Sequence, residues 1–381
     1  MSQELLKFED EFTGGTLESA ERSTSLILTP PMAKENPYID SLCPNDIMDY
    51  LLPNGELFGL FSDPYATMFY HKPAEGIRNG RFWLEERIED GTFTEREIRL
   101  LDFLSNVRIA TRSQIRRAVF KESDEDRVVV DFLKKCRRTG VLCAFSWVTP
   151  LKDQRKKPLV YALTRVGADA AEIILKRKFT DDFWFQPIEI PAGRGPEMTP
   201  LFQDLVSAEI HCELTRIDRL ISWQRNPLVR LKNGQIHHPT STFQVIKDAG
   251  EMRTFWVETV RIGKDWVSKV KNRFQKTQNA IQYVNEFQKP ARVIVVADGD
   301  SRIPYLAELA REFMPSVEVR FTTDERLLQG LGKQTFVIWD NTGKCLKAQS
   351  IGFLQPNSEG MTASEYLASQ MMVPDDDEFE E

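Results

Sequence analysis

The amino-acid sequence predicts an α+β protein with two folded modules between acidic ends that we expect to be disordered. Residues 94–178 have the pattern of three short amphipathic helices, two strands and a further helix. Residues 201–354 mix helical and strand-like patterns in a different order. Positive charge is concentrated in the first of these modules. A length of 381 residues is typical of two or three domains.

Charge is segregated along the chain, although the net charge is only -7. Residues 1–93 hold 7 Lys and Arg against 17 Asp and Glu, whereas residues 94–178 hold 20 against 11. The last seven residues, DDDEFEE, add six negative charges. A basic module between acidic flanks indicates contact with a polyanion such as nucleic acid.

The two ends and the N-terminal quarter show little periodicity. Residues 1–38 and the acidic tail 355–381 are predicted to be disordered, and residues 39–93 form an irregular acidic segment without an assignable fold. The sequence contains no apolar run long enough for a membrane span and no signal-peptide pattern at its start. Five scattered cysteines without a CxxC pair indicate reduced thiols, so we expect a cytoplasmic protein without membrane contact.

The basic module, residues 94–180, has clear helix boundaries. Thr94 with Glu97, and Thr111 with Gln114, have the capping-box spacing that begins a helix. A third helix is predicted from about Ser123 to a glycine at position 140. Strands 141–148 and 159–164 then flank a basic loop, and helix 165–178 follows. This order is that of a winged helix-turn-helix.

In helix-turn-helix proteins the third helix enters the major groove of DNA, and a wing reaches the adjacent backbone. We therefore predict that the exposed cations of the second helix, the third helix and the loop contact double-stranded DNA: Arg112, Arg116, Arg117, Arg127, Lys134, Lys135, Arg138, Lys152, Arg155, Lys156 and Lys157. The acidic start of the third helix, SDEDR, opposes this prediction unless it lies off the duplex or accepts from a cytosine amine. The alternative is a winged helix used for protein docking or dimerisation.

A Pro- and Gly-rich linker, residues 186–200, precedes the second module, residues 201–354. The predicted order there is helix, three strands, helix and strand, which is the core order of PD-(D/E)xK nuclease-like domains. The corresponding segments are helix 201–216, strands 221–231, 241–247 and 253–261, helix 264–287 and strand 291–300.

The catalytic pattern of such nucleases is incomplete in this chain. Hydrolysis needs an Asp and a Glu to hold Mg²⁺ and a Lys two residues after the Glu. Thr240 and Val260 replace the Asp and the Lys, and Glu258 alone fits as a weak metal candidate. We expect Glu258 to pair with a nearby Arg or Lys instead. His237 and His238 would point to opposite faces of a strand and could not easily share an ion. We therefore expect no enzymatic activity, no metal and no cofactor.

Five segments of the chain resemble the replication-relaxation family, which plasmids and integrative elements of Gram-positive bacteria encode. They are TEREIRLLDFLSNVRIATRSQIRRAVF, LVYALTRVGADAAEI, LFQDLVSAEIHCEL, HHPTSTFQV and FWVETVR, and together they span about residues 92–300. The resemblance implies an accessory DNA-binding protein that works beside a relaxase or a replication initiator. The family commonly has Asp after the proline that precedes position 240, and Thr240 departs from that pattern.

These observations predict a non-enzymatic accessory protein for plasmid or integrative-element replication, DNA relaxation or conjugative transfer. Double-stranded DNA is the expected partner, and a relaxase, a replication initiator and a second copy of the chain are further candidate partners. A winged-helix transcriptional regulator is an alternative that the sequence does not separate from this function. A Mg²⁺-dependent endonuclease is the second alternative.

Overall fold

The computed structural model describes residues 28–39, 43–248 and 250–371. Helices and strands are mixed within these ranges, which confirms the α+β class. One compact unit begins at Met32. Most of the predicted N-terminal disorder (residues 1–27) and the last ten residues of the acidic tail lie outside the described ranges.

Between residues 94 and 300 the predicted helices and strands occur in the predicted order, and short strands at Ile109–Thr111 and Ile236–His237 come in addition. The helices are α1 (Gly80–Asp90), α2 (Glu95–Val107), α3 (Arg112–Val119), α4 (Asp126–Arg138), α5 (Arg165–Leu175), α6 (Thr199–Arg216), α7 (Trp266–Tyr283), α8 (Ile303–Phe313), α9 (Asp324–Leu328) and α10 (Ala363–Met371). The strands are β1 (Thr67–Tyr70), β2 (Ile109–Thr111), β3 (Leu142–Val148), β4 (Val160–Leu163), β5 (Leu220–Arg225), β6 (Val229–Arg230), β7 (Ile236–His237), β8 (Ser241–Asp248), β9 (Glu251–Thr259), β10 (Arg292–Ala297), β11 (Val319–Thr323), β12 (Val337–Asp340) and β13 (Cys345–Ala348). Within the described part of the chain, no helix is both long and apolar enough to cross a membrane.

The basic module combines α2, α3 and α4 with a four-stranded antiparallel sheet in the order β1-β3-β4-β2. Both predicted capping boxes are present. Thr94 accepts a hydrogen bond from the backbone N–H of Glu97, and Thr111 accepts one from that of Gln114. Each glutamate or glutamine side chain accepts the reciprocal bond from the threonine N–H, so two backbone donors at the start of each helix are satisfied.

Helix α4 begins at Asp126, slightly later than predicted, because Glu125 is still extended and serves as the N-cap. Val129, Leu133 and Cys136 are buried at helical spacing and attach the helix to its module. Gly140 follows the last turn with φ 74°, a left-handed conformation that glycine adopts without steric cost.

The second module contains a seven-stranded sheet in the order β13-β12-β11-β10-β9-β8-β5. Strands β5, β8 and β9 form an antiparallel meander, while β9, β10 and β11 are parallel. Helix α7 makes the crossover between β9 and β10 that parallel pairing requires. The predicted strand 221–231 is divided, because β6 leaves the sheet and pairs with β7 in a separate two-stranded sheet. Strand β13 was not predicted.

Helix α6 belongs to the cores of both modules. Thirteen of its 18 residues are buried. Leu205 and Ile210 pack in the same cluster as Phe243 of the seven-stranded sheet, whereas Ala208 and Cys212 lie in the core of the basic module. The predicted linker therefore lies within one compact unit rather than between two. Its last residues run along β1, where the Met198 N–H donates to Ala66 O over 3.0 Å.

The segment before the basic module packs on both modules. Tyr38, which falls within the predicted disordered end, is 2 % exposed. Its hydroxyl accepts a hydrogen bond from the Phe58 N–H over 2.8 Å. Arg302 donates to Tyr50 O over 2.8 Å beyond the carboxyl end of β10, and the Phe61 N–H donates to Asp324 beyond β11. The expectation of disorder at Tyr38 is therefore wrong, because its apolar neighbours are distant in sequence.

The start of the acidic tail is also ordered. Residues 363–371 form helix α10, although residues 355–381 were predicted to be disordered. Ala363 is buried, and its backbone N–H donates to Asp218 O over 2.7 Å. Ser364 donates to the side chain of the same aspartate over 2.9 Å. The contact with Asp218, just after α6, holds the start of this helix, and Thr362 and Glu365 exchange side-chain and backbone hydrogen bonds at its first turn.

Candidate nucleic-acid interface

One face of α4 presents three cations to solvent. Arg127, Lys134 and Arg138 recur at helical spacing opposite the buried face and are all exposed. The side chain of Arg127 is 87 % exposed and that of Lys134 is 58 % exposed. Asp131 lies between them, 3.7 Å from each cation, and an exposed pair at that distance contributes little. Lys135 is exposed beside this stripe.

Two of the three acidic residues at the start of α4 pair with arginines of the two preceding helices. Arg96 of α2 donates to Asp124 over 2.8 Å. Arg116 of α3 donates to Asp126 over 2.5 Å. These pairs give two acidic residues of the SDEDR segment a partner within the protein, although the side chain of Asp126 remains 82 % exposed. Arg116, predicted to contact DNA, is committed to this pair, while Arg112 on the same helix is exposed.

Arg117 does not lie on the exposed surface, and the prediction that it is exposed is wrong. Its side chain is 20 % exposed and turns toward α6, where it donates to Glu213 over 2.6 Å and lies 2.5 Å from Glu209. Gln114 also donates to Glu209, over 2.8 Å. Burial raises the pKa of Glu209, although Arg117 and Gln114 oppose the rise. The cluster therefore joins the two modules.

The basic loop between β3 and β4 is not a free tip, contrary to prediction. Arg155 and Lys157 both pair with Asp153, at 2.9 and 2.5 Å. Burial alone would raise the pKa of Asp153, but hydrogen bonds from Arg155 and Lys157 hold it well below its usual range. Arg155 also donates to Phe58 O over 2.6 Å, and the buried Leu151 packs in the cluster that contains Tyr38. The loop between β3 and β4 therefore packs against the N-terminal segment.

The two remaining lysines of the loop, Lys152 and Lys156, are exposed. Together with Arg112, Arg127, Lys134, Lys135 and Arg138 they make up the part of the predicted DNA-binding set that faces solvent. Four members of that set, Arg116, Arg117, Arg155 and Lys157, are instead held in ion pairs within the protein. The solvent-facing cations lie mainly on α4.

Glu258, the remaining metal candidate, is fully buried and paired with Arg273 of α7. Thr277 donates to the other carboxylate oxygen over 3.0 Å, and His237 Nε2 lies 3.5 Å from it. Burial alone would raise the pKa of Glu258, but the charge of Arg273 and the hydrogen bond of His237 hold it below its usual value. The predicted pairing with a basic residue is confirmed.

Arg273 also donates to the Thr240 hydroxyl over 2.8 Å. Its guanidinium therefore joins the two positions at which a nuclease would hold its metal ligands. Sequence reasoning missed Arg273, although a signal was present. Arg273 and Thr277 follow Trp266 and Val270 on the apolar face of α7, and polar side chains at core positions require buried partners.

The histidines occupy structural positions. His237 is buried beside Glu258 and His238 is exposed, as expected of neighbours in a strand. His211 and the adjacent Cys212 are buried on α6. Among the described residues, no group of three or more His, Cys, Asp or Glu side chains could hold a metal ion.

Comparisons with known proteins do not identify a relative. No family model matches the chain, and no curated protein or solved structure is significantly similar to it. The resemblance to the replication-relaxation family therefore rests on the five sequence segments alone.

Proposed function

We propose that this chain is a cytoplasmic, non-enzymatic protein that binds double-stranded DNA through residues 94–180. The observation that carries the proposal is the exposed stripe of Arg127, Lys134 and Arg138 on α4, the third helix of the basic module. A helix in this position has the dimensions and the charge to enter a major groove. Cations that face solvent at helical spacing suit a partner whose phosphates flank that groove.

The arrangement of the module supports its interpretation as a winged helix-turn-helix. Helices α2, α3 and α4 precede the antiparallel hairpin β3–β4. Strand β2, which lies between α2 and α3 in the sequence, pairs with β4. The buried residues of α2 and α3 support α4 from one side and leave its cationic face toward solvent. Phosphate contacts from Arg112, Lys152 and Lys156 would fix the register of α4 on the duplex.

The second module is proposed to be a degenerate relative of PD-(D/E)xK nucleases. The order α6, β5, β8, β9, α7 and β10 supports the likeness. Absence of hydrolysis is supported by the guanidinium of Arg273, which occupies the space between Glu258 and Thr240. A cation at Glu258 would have to displace Arg273 and would gain only one carboxylate ligand, which is poor coordination for Mg²⁺.

The biological setting is proposed from the family resemblance. The chain would assist replication, DNA relaxation or conjugative transfer of a plasmid or integrative element. The second module would dock a relaxase or replication initiator, or a second copy of the chain. A transcriptional regulator would use the same helix, so the location of the bound site separates the two roles: repeats at an origin, or an operator at a promoter.

A mobility-shift titration with origin and promoter DNA of the encoding element tests the proposal. Replacing Arg127, Lys134 and Arg138 together by alanine should flatten the dependence of log K on log salt by about 2.7, because each phosphate contact contributes about 0.9. The affinity should then fall by roughly 500-fold at 0.1 M salt. We expect a strong loss of DNA affinity in this variant and not in the control variant.

The matched control removes three exposed lysines of the second module, Lys232, Lys289 and Lys333, and so changes the net charge equally. Absence of binding by the unaltered protein at low salt would contradict the proposal. Equal losses in the control and in the α4 variant would show that net charge, rather than α4, governs the interaction.

A further inference from the structure

A basic cleft with a volume of about 330 Å³ opens at the C-terminal end of α4. Three separate parts of the chain form it: the loop after β1, the last turn of α4 with neighbouring β3, and the loop between β3 and β4. The lining side chains that matter here are His71, Lys72, Arg137, Ser146, Lys156 and Lys157. We name this feature the basic cleft.

The loop after β1 is locked onto the end of α4. Gly76 has φ 81°, and a Cβ atom there would lie 2.1 Å from Arg137 O, so only glycine permits the approach. Asn79 donates to Arg138 O over 3.2 Å. Arg137 donates to His71 O over 3.3 Å and pairs with Glu75 at 2.5 Å. The walls of the basic cleft are therefore positioned before any ligand arrives.

Lys72 has an unusual backbone conformation within this loop. Its φ of 49° lies in the left-handed region, which is strained for a non-glycine residue. Its carbonyl accepts a hydrogen bond from the Glu75 N–H over 2.9 Å, and the His71 N–H donates to Ala144 O over 2.8 Å. These bonds hold the strained turn and keep the exposed lysine beside the basic cleft.

The basic cleft carries excess positive charge. Four cations line it, and two of them have acidic partners: Arg137 pairs with Glu75, and Lys157 with Asp153. Of the described residues that line it, none is acidic. Burial lowers the pKa of His71, and the charge of Arg137 lowers it further. An anion with one or two negative charges would be complementary.

We propose that the basic cleft binds a phosphate group of the DNA backbone beside the groove that α4 enters. This inference rests on the proposed DNA binding and assigns a role to a loop from the acidic segment before the basic module. Cations from three elements converge on one small space, which suits a phosphate oxyanion better than a base. The contact would fix the orientation of α4, since phosphate contacts set the register of a protein on a duplex.

The test variant replaces Lys72 and Lys156 by alanine in the full-length protein. Both side chains are exposed, and Glu75 and Asp153 keep their arginine and lysine partners, so the fold should be preserved. Loss of one phosphate contact should lower the salt dependence by about 0.9 and weaken duplex binding about eightfold at 0.1 M salt. The control variant, Lys232→Ala with Lys333→Ala, should leave both quantities nearly unchanged.

A second readout follows the imidazole of His71 by NMR, with its signal assigned from a His71→Gln variant. Duplex DNA should raise the pKa of His71, because a phosphate would offset the field of Arg137, Lys72, Lys156 and Lys157. Glu75 and Asp153 are the acidic groups that pair with Arg137 and Lys157 beside the basic cleft. Circular dichroism checks that the variant keeps its fold. Parallel titrations with inorganic phosphate and with a mononucleotide show whether free phosphates occupy the same place.

The outcomes separate this inference from the proposed function. If the α4 variant loses DNA but the Lys72/Lys156 variant binds as tightly as the unaltered protein, the cleft assignment fails and DNA binding stands. If the unaltered protein binds no duplex at low salt, the proposed function fails. A response of His71 to inorganic phosphate or mononucleotide but not to duplex would overturn the backbone contact in favour of a free-phosphate site.

Discussion

Arg273 shows how one side chain changes the chemistry available at a sheet end. Its guanidinium bonds Glu258 and Thr240 at once. Glu258 thus has a cationic partner inside the protein. The sequence predicts that Glu258 pairs with a basic residue, but the identity of that residue depends on how α7 crosses the sheet.

His211 has a strongly perturbed environment of a different kind. Its ring lies between Phe103 and Trp223, with centroid distances of 5.3 and 5.1 Å. Burial lowers the pKa of His211 to about 3. In the unfolded chain the same imidazole titrates near its ordinary pKa of about 6.5. Between these values the unfolded state binds a proton that the folded state excludes.

We predict that His211 makes the protein less stable in acid. The neutral His211 ring lowers the free energy of unfolding only below pH of about 6.5, where the unfolded chain gains a proton. Between pH 6.5 and 3 the free energy of unfolding should fall by about 1.4 kcal/mol per pH unit. The His211→Phe variant should lack this slope. Denaturant unfolding of both proteins at several pH values between 4 and 7 measures the difference.

The comparison between proteins is needed because other groups titrate in the same window. Burial raises the pKa of Asp324 to about 6 and that of Glu325 to about 7, which favours the folded state in acid. Asp324 and Glu325 are present in both proteins, so their contributions cancel when the two pH profiles are subtracted. A His238→Gln variant, altered at an exposed histidine, serves as the control. Parallel pH profiles for His211→Phe and the unaltered protein would refute the assignment.

At the scale of elements, α6 is the helix on which both modules depend. It contributes apolar residues to two cores and presents Glu209 and Glu213 to Arg117 of α3. Ordinary surface helices have one apolar face and one solvated face. A helix that is buried almost all round, with carboxylates at buried positions, indicates packing on two sides. The carboxylates therefore require a cation from a neighbouring element.

We predict that Arg117→Met destabilises the protein by about 3–5 kcal/mol, because it leaves a buried carboxylate without its cation. Glu213 retains Arg216 at 2.9 Å, so the loss falls mainly on Glu209. Urea unfolding monitored by tryptophan fluorescence measures the change. Arg112→Met removes an exposed cation from the same helix and should cost less than about 0.5 kcal/mol. Similar losses in the two variants would contradict the role of Arg117.

Local signals account for the helix starts, and distant contacts account for the basic loop. Thr94 and Thr111 cap their helices through residues three positions away, so a capping box is legible in the sequence. The loop between β3 and β4 has the composition of an exposed basic tip. Instead, Arg155 and Lys157 of this loop pair with Asp153, and Arg155 donates to the backbone of Phe58 in the N-terminal segment. Composition does not reveal such a contact.

At the scale of the whole molecule, the charge pattern suggests separate modules, but the packing joins them. The basic module and the seven-stranded sheet share α6, and the N-terminal segment contacts both. Breaking either module would expose apolar surface of the other. Stability should therefore be a property of the whole compact unit that begins at Met32.

We predict a single cooperative thermal transition for this unit. Scanning calorimetry should give one peak in which the calorimetric enthalpy equals the van't Hoff enthalpy. Repeating the scan at several rates separates equilibrium unfolding from irreversible loss. Two resolved peaks, or a stable fragment ending in the region 186–200 that unfolds cooperatively alone, would show that the modules are independent.

The sequence by itself determined the features that depend on neighbours along the chain. The helix caps, the apolar periodicity of α4 and the order of elements follow from spacings of a few residues. The excess of Lys and Arg over Asp and Glu in residues 94–178 is read directly from the composition. The tertiary structure alone decided which charges pair. Arg117 meets Glu213 across 96 residues, and Arg261 meets Asp324 across 63. A side chain of either sign can face solvent or a partner, and only the packing of distant elements selects between the two.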